Sequence, residues 1–343
     1  MAELWYALVA LLLTGYAILD GFDLGAGALH LSLARTNVER RTILQAIGPL
    51  WDGNEVWLLA AGGSLMLSFP SVLAVGFSGF YLPLFMVLWL LLLRGIAIEF
   101  RSHLGDSMWR SVWDAVFSLS SGGLALVLGV ALGNVLRGVP LDRSSGAFRL
   151  PLFASWSPTG ELGLFDWYTL SVGLFVLVAL CRHGALFLRL RTGGIVAERA
   201  AATAQQLRLP TLALWLGVAS LTLVLAPHLV TTLISRPLAW GLLATTALGF
   251  ALSLRDRQDS FYYSLLHLGS LMALAATCHF PVFLRSPDSG FALDVALTKS
   301  PDSSLRTALH WWGVGFPLAV LYFVALWRMH RRPVVADDTR PGY

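Results

Sequence analysis

Apolar runs long enough to cross a lipid bilayer recur along the whole of this 343-residue chain. A helix needs about 20 apolar residues to span a hydrocarbon core about 30 Å thick. The segments that meet this requirement are about 4–33, 47–69, 72–100, 112–136, 165–188, 209–234, 238–254, 260–284 and 307–328. Only 13% of the residues are charged, whereas soluble domains carry about 25%. The sequence therefore predicts an all-α polytopic membrane protein of about nine transmembrane helices.

The loop charges predict the orientation of the chain. One set of alternate loops, together with the C-terminal tail, carries fifteen of the 24 basic residues, and the opposite set carries seven. Because cytoplasmic loops of membrane proteins are enriched in Lys and Arg, we expect a periplasmic N-terminus and a cytoplasmic C-terminus. Residues 193–208 have helical composition and predict a short surface helix on the inner side. Residues 1–343 are expected to form a single membrane domain.

Several classes of function lack a signal in this chain. The basic residues are scattered over loops and form no stripe that would bind nucleic acid. Cys181 and Cys278 lie in separate apolar segments and are interpreted as buried thiols, not as metal ligands. No phosphate-binding loop or metalloprotease motif occurs. The histidines show no facing pair that would hold a haem, since His267 and His279 lie twelve residues apart on one predicted span.

The charged residues within the apolar interiors of the spans are concentrated in the first half of the chain. An ionisable group at mid-bilayer costs about 2.5–3.5 kcal/mol, so their position is informative. Residues 1–136 carry all of them apart from Arg182, and the apolar second half, 165–330, has no acid in the interiors of its spans. With the predicted topology, every one of the acids falls in the cytoplasmic half of the membrane. The residues concerned are Asp20, Asp23, Asp52, Glu55, Arg94, Glu99 and Asp114.

The spacing of these acids favours two interpretations about equally. Asp20 and Asp23 are three residues apart, as are Asp52 and Glu55, so each pair shares a helix face. A chain of such carboxyl groups joined by water would conduct protons. Alternatively, the acids cap helices, pair with arginines and bind a polar partner surface. Arg94 can pair with an acid of another helix, since five residues separate it from Glu99 and this spacing is poor for a same-face pair.

Two groups of glycines predict close packing of helix backbones. Gly21 and Gly25 are four residues apart in the first span, and Gly62 and Gly63 are adjacent in the second. Small residues at such spacing allow membrane helices to approach each other closely. They predict tight association and carry no chemistry themselves.

Several ordered motifs in the first half resemble subunit II of cytochrome bd-type quinol oxidases. The motifs carry polar residues within predicted membrane spans, where such residues are costly. They lie within residues 15–115, and the rest of the chain resembles the family more loosely. The motifs are Asp20-Gly21-Phe22-Asp23-Leu24-Gly25, Gly48-Pro49-Leu50-Trp51-Asp52-Gly53-Asn54-Glu55-Val56-Trp57-Leu58, Phe77-Ser78-Gly79-Phe80-Tyr81, Arg94-x-x-x-x-Glu99-Phe100-Arg101 and Trp113-Asp114. The short chain is similar to the compact, cyanide-insensitive branch.

The resemblance implies a subunit of an oxidase that couples quinol oxidation to reduction of oxygen to water. It implies roughly two four-helix bundles plus one helix, in the bacterial inner membrane. Haems b and d are expected in the partner subunit I, and no haem or metal on this chain. A small single-helix subunit and a structural quinone or lipid are further expected companions. A proton pathway is implied that enters at Asp52 and continues to Asp20 and Asp23.

The remaining polar residues of the motifs receive roles by the same resemblance. Glu55, Glu99 and Asp114 are further candidates for the proton pathway. Arg94, Arg101, Trp57 and Asn54 are expected to be charge partners or structural residues.

Two other classes of function remain open at this point. A proton-coupled secondary transporter would use the same carboxyl groups as coupling sites, but transporters often show internal repeats, and none is visible here. A purely structural scaffold subunit would use the acids only in ion pairs with subunit I.

Overall fold

Long apolar runs that begin at capping residues give this chain its helices. Asp106 and Asp166 accept hydrogen bonds from the backbone N–H groups of Trp109 and Thr169, and so cap the two helices that they precede. The computed structural model describes residues 1–144, 146–157, 160–255, 257–287 and 290–334. Arg340, one of the fifteen basic residues predicted on the inner side, lies outside these ranges.

The described residues form fifteen helices and two short strands. The helices are α1 (Ala2–Ala28), α2 (His30–Leu33), α3 (Asn37–Ile47), α4 (Trp51–Ser68), α5 (Pro70–Gly79), α6 (Tyr81–Phe100), α7 (Ser107–Arg137), α8 (Trp167–Arg191), α9 (Gly194–Gln206), α10 (Arg208–Leu225), α11 (Pro227–Ser235), α12 (Pro237–Ser253), α13 (Ser260–His279), α14 (Val295–Thr298) and α15 (Asp302–Met329). The strands β1 (Val282–Arg285) and β2 (Ala292–Asp294) pair antiparallel.

The prediction of about nine spans is confirmed. Among the described residues, 7 helices are long and apolar enough to cross a membrane, and 9 spans result if two bent helix pairs each count as one. The bent pairs are α4 with α5, at 119°, and α11 with α12, at 102°. The predicted helix at 193–208 corresponds to α9, which packs on α8.

The structure corrects several predicted boundaries. The span predicted at 72–100 is interrupted at Phe80, and the one predicted at 209–234 is interrupted at Ala226. Pro227 begins α11 because proline fits the first turn of a helix, where its missing N–H needs no partner. The last predicted residues of span 260–284 form part of β1 instead of continuing α13. The all-α prediction is therefore accurate except for this small sheet.

The helices form two groups, as expected, with one further helix. The first group contains α1, α4, α6 and α7, and the second contains α8, α10, α12 and α13. The groups meet where α8 packs against α1 and α7, and where α13 packs against α1. Helix α15 lies at the edge, against α1 and α4. Helix α1 is therefore central, and it carries the two acids of the first motif.

The crossing of α1 and α8 depends on glycine. A Cβ atom on Gly25 would overlap the carbonyl oxygen of Leu180, and one on Gly184 would overlap the backbone nitrogen of Ala26. The two backbones are thus in direct contact, as the small residues of the first span predict. By contrast, a Cβ atom on Gly62 or Gly63 would meet no other described part of the chain within 4 Å.

A Gly25→Ala variant should be less stable because the added methyl group forces α1 and α8 apart. Overpacking of this kind costs about 1–3 kcal/mol, so the midpoint of thermal unfolding in detergent should fall. Gly217→Ala is the matched control: it lies on α10 with open space around it, and alanine favours a helix by about 0.8–1.0 kcal/mol over glycine. Equal midpoints for the two variants would contradict this account of the crossing.

Candidate functional site: a buried carboxylate network

Arg94 of α6 joins α1 and α4 through two ion pairs. Its Nη2 atom donates hydrogen bonds to Asp20 Oδ1 at 2.6 Å and to Glu55 Oε1 at 2.7 Å. The side chains of Arg94 and Asp20 are 1% and 0% exposed, and that of Glu55 is 25% exposed. The partner of Arg94 is thus an acid on another helix, which was one of the arrangements that the sequence left open.

Asp23 lies one turn further along α1 and is held by Asn54. The Asn54 Nδ2 atom donates to Asp23 Oδ2 at 2.7 Å and to the carbonyl oxygen of Leu19 at 3.3 Å. Both side chains are buried. Asp20 and Asp23 face α4 together because residues three apart share a helix face. We refer to Asp20, Asp23, Asn54, Glu55 and Arg94 as the α1–α4–α6 network.

The α1–α4–α6 network has more acid groups than basic ones, and several of its atoms lack partners. It contains three carboxyl groups and one guanidinium group. The atoms Asp20 Oδ2, Asp23 Oδ1, Arg94 Nε and Arg94 Nη1 are buried without a hydrogen-bond partner among the described residues. A buried polar atom without a partner costs about 1–3 kcal/mol, and ordered water normally supplies the missing bonds. The network therefore offers several buried atoms to which ordered water could bind.

Asp52 and Glu99 lie outside this network, on exposed faces. Asp52 is in the first turn of α4 and is exposed, and it interacts electrostatically with Glu55, one turn further on. Glu99 is exposed near the end of α6, five residues beyond Arg94. Asp52 is therefore placed between the surface of the chain and the buried carboxyl groups, whereas Glu99 lies to one side of them.

Asp114 forms a second, separate cluster with two arginines and a histidine. Its Oδ1 atom is 2.6 Å from both His30 Nε2 and Arg101 Nε, and its Oδ2 atom accepts from Arg40 Nη1 at 2.9 Å and from Arg101 Nη2 at 3.2 Å. Arg101 also donates to Asn37 Oδ1 at 2.9 Å. We refer to this group as the Asp114 cluster. It ties α7 to α2, α3 and the end of α6.

Trp57 lies beside the α1–α4–α6 network and packs against aromatic residues of α15. Its ring lies 6.1 Å from that of Phe316 and 5.2 Å from that of Phe323, both on α15, measured between ring centroids. Its Nε1 atom is buried and makes no hydrogen bond to a described residue. The hydroxyl group of Tyr16 is buried nearby and interacts with the Asp20 carboxyl group. Sequence reasoning did not single out Tyr16, although its position one turn before Asp20 was a signal that could have found it.

His30 and Arg40 were also not assigned to a site from the sequence. His30 follows directly after the first long helix, and Arg40 lies in α3, on the loop side of the bundle. No spacing rule links either of them to Asp114, which is more than seventy residues away. Their role becomes visible only in the three-dimensional arrangement.

Both ring nitrogens of His183, a buried histidine of α8, lie within hydrogen-bond distance of protein groups. His183 Nδ1 is 2.6 Å from Ser264 Oγ, and His183 Nε2 is 3.0 Å from the carbonyl oxygen of Ile18. Neither ring nitrogen is therefore available as a haem ligand. Over the described ranges, no group of three or more His, Cys, Asp or Glu side chains is arranged to hold a metal ion.

The fold and the buried network define a multi-pass membrane protein with ionisable groups between its first helices. The family of cytochrome bd terminal oxidase subunit II matches residues 1–330. The chain belongs to this family, and it is a multi-pass protein of the bacterial inner membrane.

Three named relatives show how far the similarity extends. A probable cytochrome oxidase subunit 2 of Haemophilus influenzae is 41% identical over 205 residues, which are 59% of this chain and 52% of the relative. The cytochrome bd-I ubiquinol oxidase subunit 2 of Escherichia coli K12 is 39% identical over 210 residues, which are 61% and 54%. These matches thus cover about half the length of each relative. The cytochrome bd ubiquinol oxidase subunit 2 of Bacillus subtilis is 32% identical over 308 residues, which are 89% and 88%.

A solved structure has the same fold. The bd oxidase from Geobacillus thermodenitrificans contains a chain that aligns with a TM-score of 0.75 at 20% identity, over 96% of this chain and 98% of that one. At this level of identity, the likeness concerns the arrangement of the helices.

Proposed function

We propose that this chain is the subunit II of a cytochrome bd-type quinol oxidase, and that it conducts protons and stabilises subunit I. In this proposal subunit I carries haems b and d, oxidises quinol and reduces oxygen to water. This chain binds no haem and is not catalytic alone. Since reduction of oxygen consumes protons, the buried site in subunit I needs a route from the cytoplasm. The α1–α4–α6 network supplies part of that route.

The observation that carries the proposal is the set of buried carboxyl oxygens that have no partner among the described residues. In Asp20 and Asp23, one oxygen atom is held by Arg94 or Asn54, and the other forms no close hydrogen bond within the part of the chain that the structure describes. Such a group stays oriented and can still exchange a proton with water. The carboxyl groups are therefore both positioned and accessible to a proton.

The proposed route enters at Asp52 and proceeds inward. Asp52 is exposed at the beginning of α4, Glu55 is partly buried, and Asp20 and Asp23 are fully buried. The burial therefore increases along the route, as a path from water to an interior site requires. Arg94 offsets part of the negative charge and keeps the carboxyl groups in the membrane. Glu99 lies beside this route, on the partner-facing side.

Asp114 is assigned a structural role in this proposal. Both of its oxygen atoms are taken by Arg101, Arg40 or His30, so a proton could bind there only by displacing one of these groups. The Asp114 cluster supports the inner ends of the helices that hold the network.

The surface proposed to bind subunit I is formed by α4, α6 and α15. Val56, Leu59 and Met66 of α4 are 51%, 74% and 65% exposed and follow one face of the helix that begins next to Asp52. Within the membrane-spanning window of α15, 0% of the residues are buried in this chain. Gly62 and Gly63 offer open space on α4, and small residues of this kind accept a partner helix. The exposed acid Asp52 on the same face of α4 favours a protein partner over lipid.

An Asp52→Asn variant should lower quinol-driven oxygen consumption by about tenfold. A positioned proton-transfer group typically contributes a factor of about 10²–10⁴, and water can replace part of that contribution at an exposed site. The haem spectrum of the purified complex should be unchanged, because subunit I carries the haems. Oxygen uptake at saturating quinol and the reduced-minus-oxidised absorption spectrum measure the two quantities.

Asp302→Asn is the control for Asp52→Asn. Asp302 is an exposed acid in the first turn of α15, and the segment before it is hydrogen-bonded to Ser68, at the opposite end of α4 from Asp52. Its turnover should equal that of the wild type. Normal turnover of an assembled Asp52→Asn complex would exclude the route. If the Asp52→Asn variant instead failed to assemble with subunit I, and no assembled complex with reduced turnover could be isolated, the result would support the scaffold role.

A further inference from the structure

Tyr16 continues the line of polar groups beyond the proposed proton route. Tyr16, Asp20 and Asp23 occupy positions i, i+4 and i+7 of α1, so they form one stripe along the helix. Tyr16 lies on the far side of Asp20 from Asp52, because α4 runs antiparallel to α1 and Asn54 reaches Asp23. The side chain of Tyr16 is 6% exposed. Its hydroxyl group is therefore the next polar group inward.

The hydroxyl group of Tyr16 faces the carboxyl group of Asp20. It is buried. The Asp20 carboxyl group is near enough to interact with it as a hydrogen-bond acceptor as well as by charge, and Arg94 and Glu55 interact with it by charge. Asp20 Oδ2 is the oxygen atom of this carboxyl group that Arg94 does not use. The Tyr16 hydroxyl group and the Asp20 carboxyl group are thus neighbours in successive turns of α1, and neither forms a close hydrogen bond to another described residue through these atoms. A water molecule between them would bridge the two groups.

Trp57 brings a third such atom to the same level. A Cβ atom on Gly15 would lie 2.8 Å from Trp57 Cε3, so the indole ring rests directly on α1 beside Tyr16. Tyr16 and Trp57 also share an apolar cluster with Leu12 and Ala61. The Trp57 Nε1–H group is buried and makes no hydrogen bond to a described residue. An indole N–H can only donate, so it would fix the orientation of a water molecule without accepting its proton.

We infer that Tyr16 is the relay that takes protons onward from Asp20, through ordered water positioned by Trp57. This inference rests on the proposed function and extends it. In each transfer, the Asp20 carboxyl group gives its proton to the intervening water molecule, that water gives one of its protons to the Tyr16 oxygen atom, and the original Tyr16 O–H bond breaks to release a proton to the next water molecule. Asp20 is left as a carboxylate and regains a proton along the route from Asp52 and Glu55. No net charge is left on the ring. A tyrosine suits this step because its hydroxyl group both donates and accepts.

The line of polar groups ends at a groove on the proposed partner-facing side. The groove has a volume of about 530 Å³ and lies between α1, α4 and α15, where Leu12, Trp57 and Phe316 contribute to its wall. Trp57 therefore separates the buried stripe from this groove. Protons that reach Tyr16 are one side chain away from the surface that subunit I would cover.

The test compares Tyr16→Phe with Tyr168→Phe in the complex purified with its haem-bearing partner. Tyr16→Phe removes only the hydroxyl group, and we expect turnover to fall about fivefold to tenfold, as the loss of one hydrogen bond in the rate-limiting step predicts. The solvent isotope effect, measured as the turnover ratio in H₂O and D₂O, should rise. Tyr168→Phe also loses a buried hydroxyl group, one that pairs with Thr222 Oγ1 at 3.0 Å, and its isotope effect should equal that of the wild type.

Trp57→Phe is the second variant, since it keeps an aromatic ring but removes the N–H group. It should also lower turnover and raise the isotope effect while the haem spectrum stays unchanged. If Tyr16→Phe behaves like Tyr168→Phe while Asp52→Asn still slows turnover, Tyr16 is not on the route and the proposed function stands. If Asp52→Asn has no effect either, both proposals fail. A slower Tyr16→Phe enzyme with a wild-type isotope effect would assign Tyr16 a structural role and overturn the inference.

Discussion

An Arg94→Met variant should fail to accumulate as a folded protein. Methionine is also a long unbranched side chain but has no charge, so Asp20 and Glu55 would remain in the membrane without their shared cation. Removing one member of a buried ion pair costs about 3–5 kcal/mol, and total stabilities are only about 5–15 kcal/mol. The measurement is the amount of monodisperse protein extracted from membranes, with its midpoint of thermal unfolding in detergent.

Two further variants separate charge from shape at Arg94. Arg94→Lys keeps the positive charge but loses the planar guanidinium group, so its stability should lie between those of the wild type and Arg94→Met. The triple variant Arg94→Met, Asp20→Asn, Glu55→Gln is neutral at these three positions and should recover much of the folded protein, without recovering turnover. If Arg94→Met were as stable as the wild type, the ion pairs would not hold α1, α4 and α6 together.

The number of spans was predictable because the bilayer imposes a minimum length on every apolar helix. The interruptions within the predicted spans could not be predicted from length alone. Pro227 and Pro237 each begin a new helix, and a proline in the middle of an apolar run is a signal that the prediction at 209–234 did not use. The break at Phe80 has a weaker signal of the same kind, since Pro83 lies in the first turn of α6 but does not begin it. The hairpin of β1 and β2 is too short to show a period.

The location of the site was predictable, but the pairing within it was not. Placing a charge in the membrane is costly, so the clustering of acids in the first spans indicated a site. Which acid meets Arg94 depends on the rotation of each helix about its axis and on the crossing of three helices. Helical periodicity could only disfavour Glu99 as the partner of Arg94. The α1–α4–α6 network and the Asp114 cluster were indistinguishable in the sequence, where their acids form one set.

The environments of Asp20 and Asp114 differ, and the two roles that we propose for them rest on this difference. Asp20 keeps an oxygen atom without a partner among the described residues, whereas Asp114 has both oxygen atoms bonded to cationic groups. A carboxylate that is surrounded by several cations loses those interactions when it binds a proton. Asp114 is therefore suited to holding helices together, and Asp20 is suited to exchanging protons.

An Asp114→Asn variant should lose stability, in contrast to Asp52→Asn, which should lose turnover. The amide places an N–H₂ group among Arg101, Arg40 and His30, and the two guanidinium groups lose their counter-charge. We expect a cost of about 3–5 kcal/mol, as for other buried ion pairs from which one partner is removed. Thermal unfolding in detergent, followed by size-exclusion chromatography, measures the shift of the midpoint.

Asp106→Asn is the matched control for Asp114→Asn. Asp106 is exposed and caps the same helix, α7, by accepting from the Trp109 N–H at 2.8 Å. Asparagine caps a helix about as well as aspartate, so this variant should unfold at the wild-type temperature. If Asp114→Asn instead unfolded normally and slowed oxygen consumption with an intact haem spectrum, Asp114 would belong to the proton route. The cationic groups around it would then have to release its carboxylate during turnover.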